Sequence, residues 1–227
     1  MKKFLKLTTV VVSMVMALAF VSCTHENTSN NGNENSNEEE LNLVGTYGLS
    51  KVESIYKNPD GEASLTMTMP TSTSFRQYGT QKHIDGETTT VMEMDVTITK
   101  TENGYSFNWA KYNINGVAQG NDAKTKQEGQ FNNDGWNKYT APFAMTYTTT
   151  ADGTWSDNSV PASSGTYTVD EATSKVTMTT LIDGGNTLET PVKEELSYSN
   201  NGKTLVFVEE ESSVDGTYKM TMTLTRK

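Results

Sequence analysis

The sequence predicts an all-β domain of antiparallel hairpins, on two observations. Apolar and polar residues alternate with a period of two in successive segments: Leu65, Met67 and Met69 against Ser64, Thr66 and Thr68; Met92, Met94, Val96 and Ile98 against Glu93, Asp95, Thr97 and Thr99; Tyr218, Met220, Met222 and Leu224 against Lys219, Thr221 and Thr223. Successive side chains of a strand point to opposite faces, so each segment carries one apolar and one polar face, as in an antiparallel sheet with one wetted side. Between the segments stand Asp60-Gly61, Asp85-Gly86, Asn103-Gly104, Asp134-Gly135, Asp152-Gly153, Asp183-Gly184, Asn201-Gly202 and Asp215-Gly216. These pairs tolerate the positive φ of tight hairpin turns. No segment keeps a helical period, and short strands without intervening helices predict an antiparallel barrel or a β-sandwich.

The chain opens with Lys2, Lys3 and Lys6, followed by a run from Leu7 to Val21 that is apolar apart from Thr8, Thr9 and Ser13. That is the layout of a secretory signal, and it is shorter than the about 20 apolar residues of a transmembrane helix. Residues 1–22 are read as signal peptide. From Thr24 to about Glu40 the composition turns to Asn, Ser, Glu and Gly with no aliphatic residue. Such a stretch buries too little apolar surface to offset its ordering entropy, so residues 23–41 are predicted to be a disordered tether. Residues 42–227 remain for one packed domain, an ordinary size for a barrel or sandwich.

Strands are predicted over the three alternating segments and near Tyr47 to Ile55, Tyr105 to Ile114, Pro142 to Thr148, Gly165 to Val169, Lys175 to Ile182, Glu194 to Tyr198 and Thr204 to Val208. Their many threonines suit a half-buried pleat. Gln119 to Asn137, the least patterned stretch, reads as a long loop, and Pro70 to Thr80 as a second. One small element recurs, in Gly45-Thr46-Tyr47, Gly153-Thr154-Trp155, Gly165-Thr166-Tyr167 and Gly216-Thr217-Tyr218. In each, a glycine ends a turn and a threonine and an aromatic open a strand. The irregular spacing excludes a solenoid or propeller.

Charge and composition exclude several functions. The formal net charge is -10 and arginine occurs only as Arg76 and Arg226, so the basic patch that nucleic-acid binding needs is missing. Cys23 is the only cysteine, which excludes a disulfide within the chain. With only His25 and His83 as histidines, neither a zinc ligand set nor a Ser/His/Asp or Cys/His arrangement can be assembled. Asn132, Asn133, Asp134 and Gly135, or Asp152 with Asp157, offer oxygens to calcium, but neither set has the EF-hand spacing. Glu194, Glu195, Glu209, Glu210 and Glu211 contain no adjacent pair on one strand face, so a solvated surface is expected rather than a glycosidase pair. The expectation is a protein without catalytic residues, metal or cofactor.

Two resemblances refine this reading. Phe20-Val21-Ser22-Cys23 resembles the lipobox of bacterial lipoproteins, although Ala17-Leu18-Ala19 also fits ordinary signal cleavage. The resemblance implies that Cys23 becomes an acylated N-terminus, holding the protein to the membrane of the cell envelope by acyl chains that each contribute ~0.8 kcal/mol per buried methylene. Acidic residues after that cysteine, Glu26 and then Glu38, Glu39 and Glu40, resemble the surface-export signal of Bacteroidetes lipoproteins, which implies an outer-membrane location. Val44 to Leu49, Ala151 to Val169 and Gly202 to Arg226 resemble, in order, the opening strand, the mid-chain hairpin and the closing strands of the lipocalin-like domains of those lipoproteins.

That second resemblance implies a lipocalin-like barrel of roughly eight to ten strands and noncatalytic binding of a small apolar or amphiphilic ligand. A β-sandwich module binding a glycan or protein at the cell surface is the alternative. The stretch from about Asn58 to Thr140 exceeds what a minimal eight-stranded barrel requires. Tyr105, Phe107 and Trp109 alternate along one strand, and Phe143, Met145 and Tyr147 along another. Each set shares a face that either lines a ligand pocket or fills the core. Trp109 is expected to contact an apolar ligand, with Trp136 and Trp155 as the other candidates. The family's barrels close with a basic side chain from the last strand over an aromatic ring of the first, which implies the pair Tyr47 and Arg226.

Overall fold

The structure, a computed structural model, describes residues 41–102, 104–133, 145–214 and 216–227. The expected signal peptide, Cys23 and nearly all of the tether lie outside these residues, as do Trp136 and Phe143. The chain folds as β1 (Gly45–Asn58), β2 (Gly61–Thr71), β3 (Ser74–Asp85), β4 (Thr88–Thr101), β5 (Gly104–Ile114), β6 (Val117–Ala118), α1 (Asn121–Asn133), β7 (Thr146–Thr149), β8 (Thr154–Asp157), β9 (Ser164–Asp170), β10 (Lys175–Asp183), β11 (Asn186–Ser199), β12 (Thr204–Ser213) and β13 (Gly216–Arg226). All thirteen strands belong to one antiparallel sheet.

The sheet closes because β1 uses both edges, one of them twice. One edge pairs with β13 from Tyr47 opposite Arg226 to Lys57 opposite Thr217, with a bulge between Leu49 and Lys51. On the other edge, Gly45 to Gly48 pair with β7, and Lys51 to Asn58 pair with β2. Strands β1 and β7 to β13 therefore form a closed eight-stranded antiparallel barrel, the lipocalin-like architecture expected, while β2 to β6 continue from the second half of β1 as a five-stranded wing. The barrel is closed where β1 begins and splayed where β1 ends. The bulge marks the change, as bulges do where a strand must bend and re-aim its side chains.

Two expected loops are regular structure. Ser74 onward is strand β3, paired with β2 and β4 along its length. Pro70 falls inside β2, but the β2–β3 register shifts between Thr68 and Thr71, so the missing proline N–H interrupts no regular ladder. Asn121 to Asn133 is helix α1, rich in Lys, Gln and Glu and opened by Asp122 in its first turn. It has no apolar stripe, and its Glu128 accepts a hydrogen bond from Trp109 of β5. The strand expected from Pro142 begins, within the described residues, at Thr146.

One core joins barrel and wing: Tyr47, Leu49, Val52, Met220, Met222 and Leu224 cluster with Met67, Phe75, Val96 and Ile98. Close strand approach sets two glycines. A Cβ on Gly165 would meet Thr179 O at 1.9 Å and Trp155 Nε1 at 3.0 Å, so the Gly-Thr-Tyr element there is kept small by the Trp155 ring beside it. Gly79 takes φ +153, and a Cβ there would meet Ser64 O at 2.1 Å.

At the closed end, the buried Tyr47 hydroxyl is shared between the carbonyl oxygens of Leu43 (3.0 Å) and Gly202 (2.5 Å). Thr149 Oγ1 also donates to Leu43 O. Arg226 stands opposite Tyr47 in the register, with first and last strands adjacent as the family resemblance implied. Its Nη1 donates to Asn42 O at 2.9 Å and Val44 O at 3.2 Å, strapping residues 42–44 across the barrel end.

Candidate functional site

The cross-strand register lays out the inner face of the sheet in rows. One row runs Val176, Leu196, Phe207, Met222, Val52, Met67, Gln77, Val96 and Trp109, from β10 across to β5. The next, one pleat nearer the splayed end, runs Met178 and Glu194, then Glu209, Met220, Ser54, Leu65, Gly79, Met94 and Tyr112. A third holds Glu211, Tyr218, Tyr56, Ala63, Gln81 and Met92. Apolar side chains dominate the first row. Polar ones accumulate in the second and third.

Beside the first row the barrel encloses an apolar cavity lined by Met145, Tyr147, Met178, Phe207, Met222 and Leu224, among others. Its volume is about 20 Å³, room for about one water molecule and far below the hundreds of Å³ of a preformed drug-sized site. The interior is thus filled by side chains. Three of the side chains lining the cavity are methionines, unbranched and able to repack around a guest.

Of the aromatic sets, Met145 and Tyr147 line this cavity. Tyr105, Phe107 and Trp109 lie on β5, in the wing, and pack against the shared core from there. A register shift between Asp95 and Val96 against β5 brings Trp109 and Tyr112 onto one face, with ring centroids 5.1 Å apart. Trp109 Nε1 donates to Glu128 Oε1 of α1 at 2.8 Å. Of the two tryptophans among the described residues, Trp155 is the one beside the cavity-lining Tyr147, its ring 6.2 Å from that of Tyr147.

The polar part of the inner face was not expected. Glu194 lies two residues from Leu196 and Glu209 two residues from Phe207, so both carboxylates face inward with those core residues, on neighbouring strands. Burial, and then the charge of Glu209, push the Glu194 carboxyl up to about 7. Burial, and then Glu211, raise Glu209. The Tyr218 phenol is raised by burial and by Glu209 and Glu211, and the Tyr147 phenol by burial, Asp157 and Glu194. Among the described residues, Glu194 Oε2, Glu209 Oε2 and Tyr218 OH are buried atoms without a hydrogen-bond partner, and so are Ser54 Oγ and both amide atoms of Gln77 and of Gln81. Ser54 is 3%, Gln77 1% and Gln81 0% exposed.

On the opposite face, carboxylates are paired. Arg76 grips Asp95 with two hydrogen bonds (2.8 and 2.6 Å) and lies over the Tyr78 ring at 4.9 Å. Hydrogen bonds from Arg76, and from Lys111 and Asn113, hold Asp95 and Glu93 below the usual carboxylate range. Lys175 pairs with Glu195 and Lys219 with Glu210, the immediate neighbours of Glu194 and Glu209. Among the described residues no three His, Cys, Asp or Glu side chains converge on a metal position, and no helix is long and apolar enough to cross a membrane.

Fold and site together define a closed antiparallel β-barrel with a filled apolar lumen and a polar band at its splayed end. No family model, curated protein or solved structure matches the chain.

Proposed function

We propose that the protein is a noncatalytic binding domain that takes a small amphiphile into the barrel interior, carried on a tether from an acylated Cys23 in the bacterial cell envelope. One observation carries the binding reading. The inner face is apolar where the methionine-lined cavity lies and polar one pleat further on, the division that an amphiphile's chain and head would match. Because the cavity holds only about 20 Å³, the guest enters by displacing Met145, Met178 and Met222 rather than filling a standing void. The anchoring reading rests on the charged start, the apolar run and the lone thiol directly after it.

Titration of the purified protein with a dodecyl-chain amphiphile, below its micelle concentration, tests the binding. The Trp155 emission should change on binding, and Trp155→Phe should abolish that change while Trp109→Phe leaves it. A response that follows Trp109 moves the guest to the wing, and no binding at all overturns the reading. For the anchor, Cys23→Ala should release the protein into the soluble fraction, and unchanged membrane retention would refute acylation.

A further inference from the structure

We infer that the amphiphile this barrel takes carries a basic amine head, held as an ammonium between Glu194 and Glu209 with Tyr218 and Ser54 beside it; this rests on the amphiphile reading above. The β11–β12 register pairs Leu196 with Phe207, and two residues further along both strands come Glu194 and Glu209. Both carboxylates therefore face inward on neighbouring strands just beyond the last paired residues, close enough for the charge of Glu209 to act on Glu194. Their outward neighbours Glu195 and Glu210 each hold a lysine, but neither inward carboxylate forms an ion pair with a described residue. Two like charges left together at reduced dielectric repel, and a cation between them relieves both.

Independent of this pair, Ser54 of β1 and, further along the same face on β3 of the wing, Gln77 and Gln81 are more than nine-tenths buried and, among the described residues, unpartnered. Ser54 stands opposite Met220, and Met220 opposite Glu209, so its hydroxyl belongs to the carboxylate row. A buried amide or hydroxyl without a partner costs about 1 to 3 kcal/mol, which marks these groups as built to meet something polar.

The chemistry of that partner follows from the groups themselves. Here stand two carboxylates, the Ser54 hydroxyl and the Tyr218 phenol, a set rich in acceptors. An ammonium has three donors and no acceptor and answers such a set directly. A carboxylate or phosphate head would add negative charge to an uncompensated pair. An alcohol brings one donor and leaves the charges unrelieved. From a head at Glu194 and Glu209, an apolar chain would run past Leu196 and Phe207 into the methionine-lined cavity, since both residues also line it.

Dodecylamine, dodecanol and dodecanoate share one chain and differ in the head, so titrating each at pH 8 isolates the inference. The amine should bind at least about tenfold more tightly than the alcohol, and the carboxylate weakest. Glu194→Gln with Glu209→Gln should reduce the amine's advantage to about twofold or less while leaving the alcohol unchanged. Glu195→Gln with Glu210→Gln removes the same charge from the outer face and should leave the advantage intact. Alcohol or carboxylate binding as tightly as amine, or an advantage that survives the inner pair's removal, overturns the amine assignment and leaves the amphiphile reading standing. If none of the three binds, the amphiphile reading fails and the assignment falls with it.

Discussion

Where β1 begins, the buried Tyr47 hydroxyl has two carbonyl oxygens to bond, Thr149 donates to one of them, and Arg226 ties the incoming chain across the end. Toward the end of β1 and along the wing, Ser54, Gln77, Gln81, Glu194, Glu209 and Tyr218 are turned inward with buried atoms that no described residue meets. The same sheet and the same strand give opposite treatments of buried polarity. A partnered group adds to stability, whereas an unpartnered one costs it, so the closed end is the structural end. Stability spent without return is common where a protein binds something.

The largest test of this contrast is Glu194→Gln. Its carboxyl titrates near 7 in the folded protein and at the ordinary carboxylate value near 4.5 when unfolded. A raised folded value means that the stability associated with the protonated form is fully present below about 4.5 and is lost as pH rises through about 7. Among the described residues the charged or ionisable groups acting on it are Glu209 and, through their mutual influence, Tyr147, neither of them a cation that would offset the loss. Denaturant unfolding should find Glu194→Gln close to the parent at pH 4 and more stable by up to about 3 kcal/mol at pH 8. Equal stability at both pH values would show that Glu194 is solvated.

Next in size is Tyr47→Phe, which keeps the ring and removes the hydroxyl. Leu43 O and Gly202 O then lose a donor in the core, and the strap over the closed end loosens. A loss of about 1 to 2 kcal/mol is expected, with little dependence on pH between 5 and 8. The two variants should therefore move stability in opposite directions at pH 8. A neutral Tyr47→Phe would remove the distinction between the ends.

Much of the architecture was legible in the sequence. Alternation found the strands of the barrel apart from β8, which only the Gly153-Thr154-Trp155 element marked, and β2, β4 and β5 of the wing; the stretch from Asn58 to Thr140 was visibly longer than a minimal barrel requires, but nothing in it specified a wing. The fork of β1 was not legible, because which distant strand pairs with which half of β1 is decided by packing across the whole sheet. Strand β3 was hidden because its inward positions include Gln77, Gly79 and Gln81, where an apolar residue would have shown the period. Helix α1 has no apolar face to read. Met145 and Tyr147 were placed at the cavity by alternation, whereas Tyr105, Phe107 and Trp109 were assigned the right face on a strand that belongs to the wing. The inward carboxylates carried a usable signal: Glu194 has the parity of Leu196, and Glu209 that of Leu205 and Phe207. Weighing only adjacent glutamates on one strand concealed a pair formed across two.

Gln81→Met is the smallest and most direct probe of the splayed end. Gln81 is fully buried between Ala63 of β2 and Met92 of β4, and neither amide atom has a partner. Methionine keeps an unbranched chain of similar length and removes the polar atoms, so the backbone and the neighbouring rows need not move. The free protein should gain about 1 kcal/mol, since an unpaired amide in an apolar setting costs about that much or more. If the amide instead serves the bound amphiphile's head, the same variant should weaken binding of dodecylamine while it stabilises the empty barrel. A variant that lost stability in the free protein would mean that Gln81 already makes a favourable contact, and the contrast between the two ends of β1 would narrow to its carboxylates.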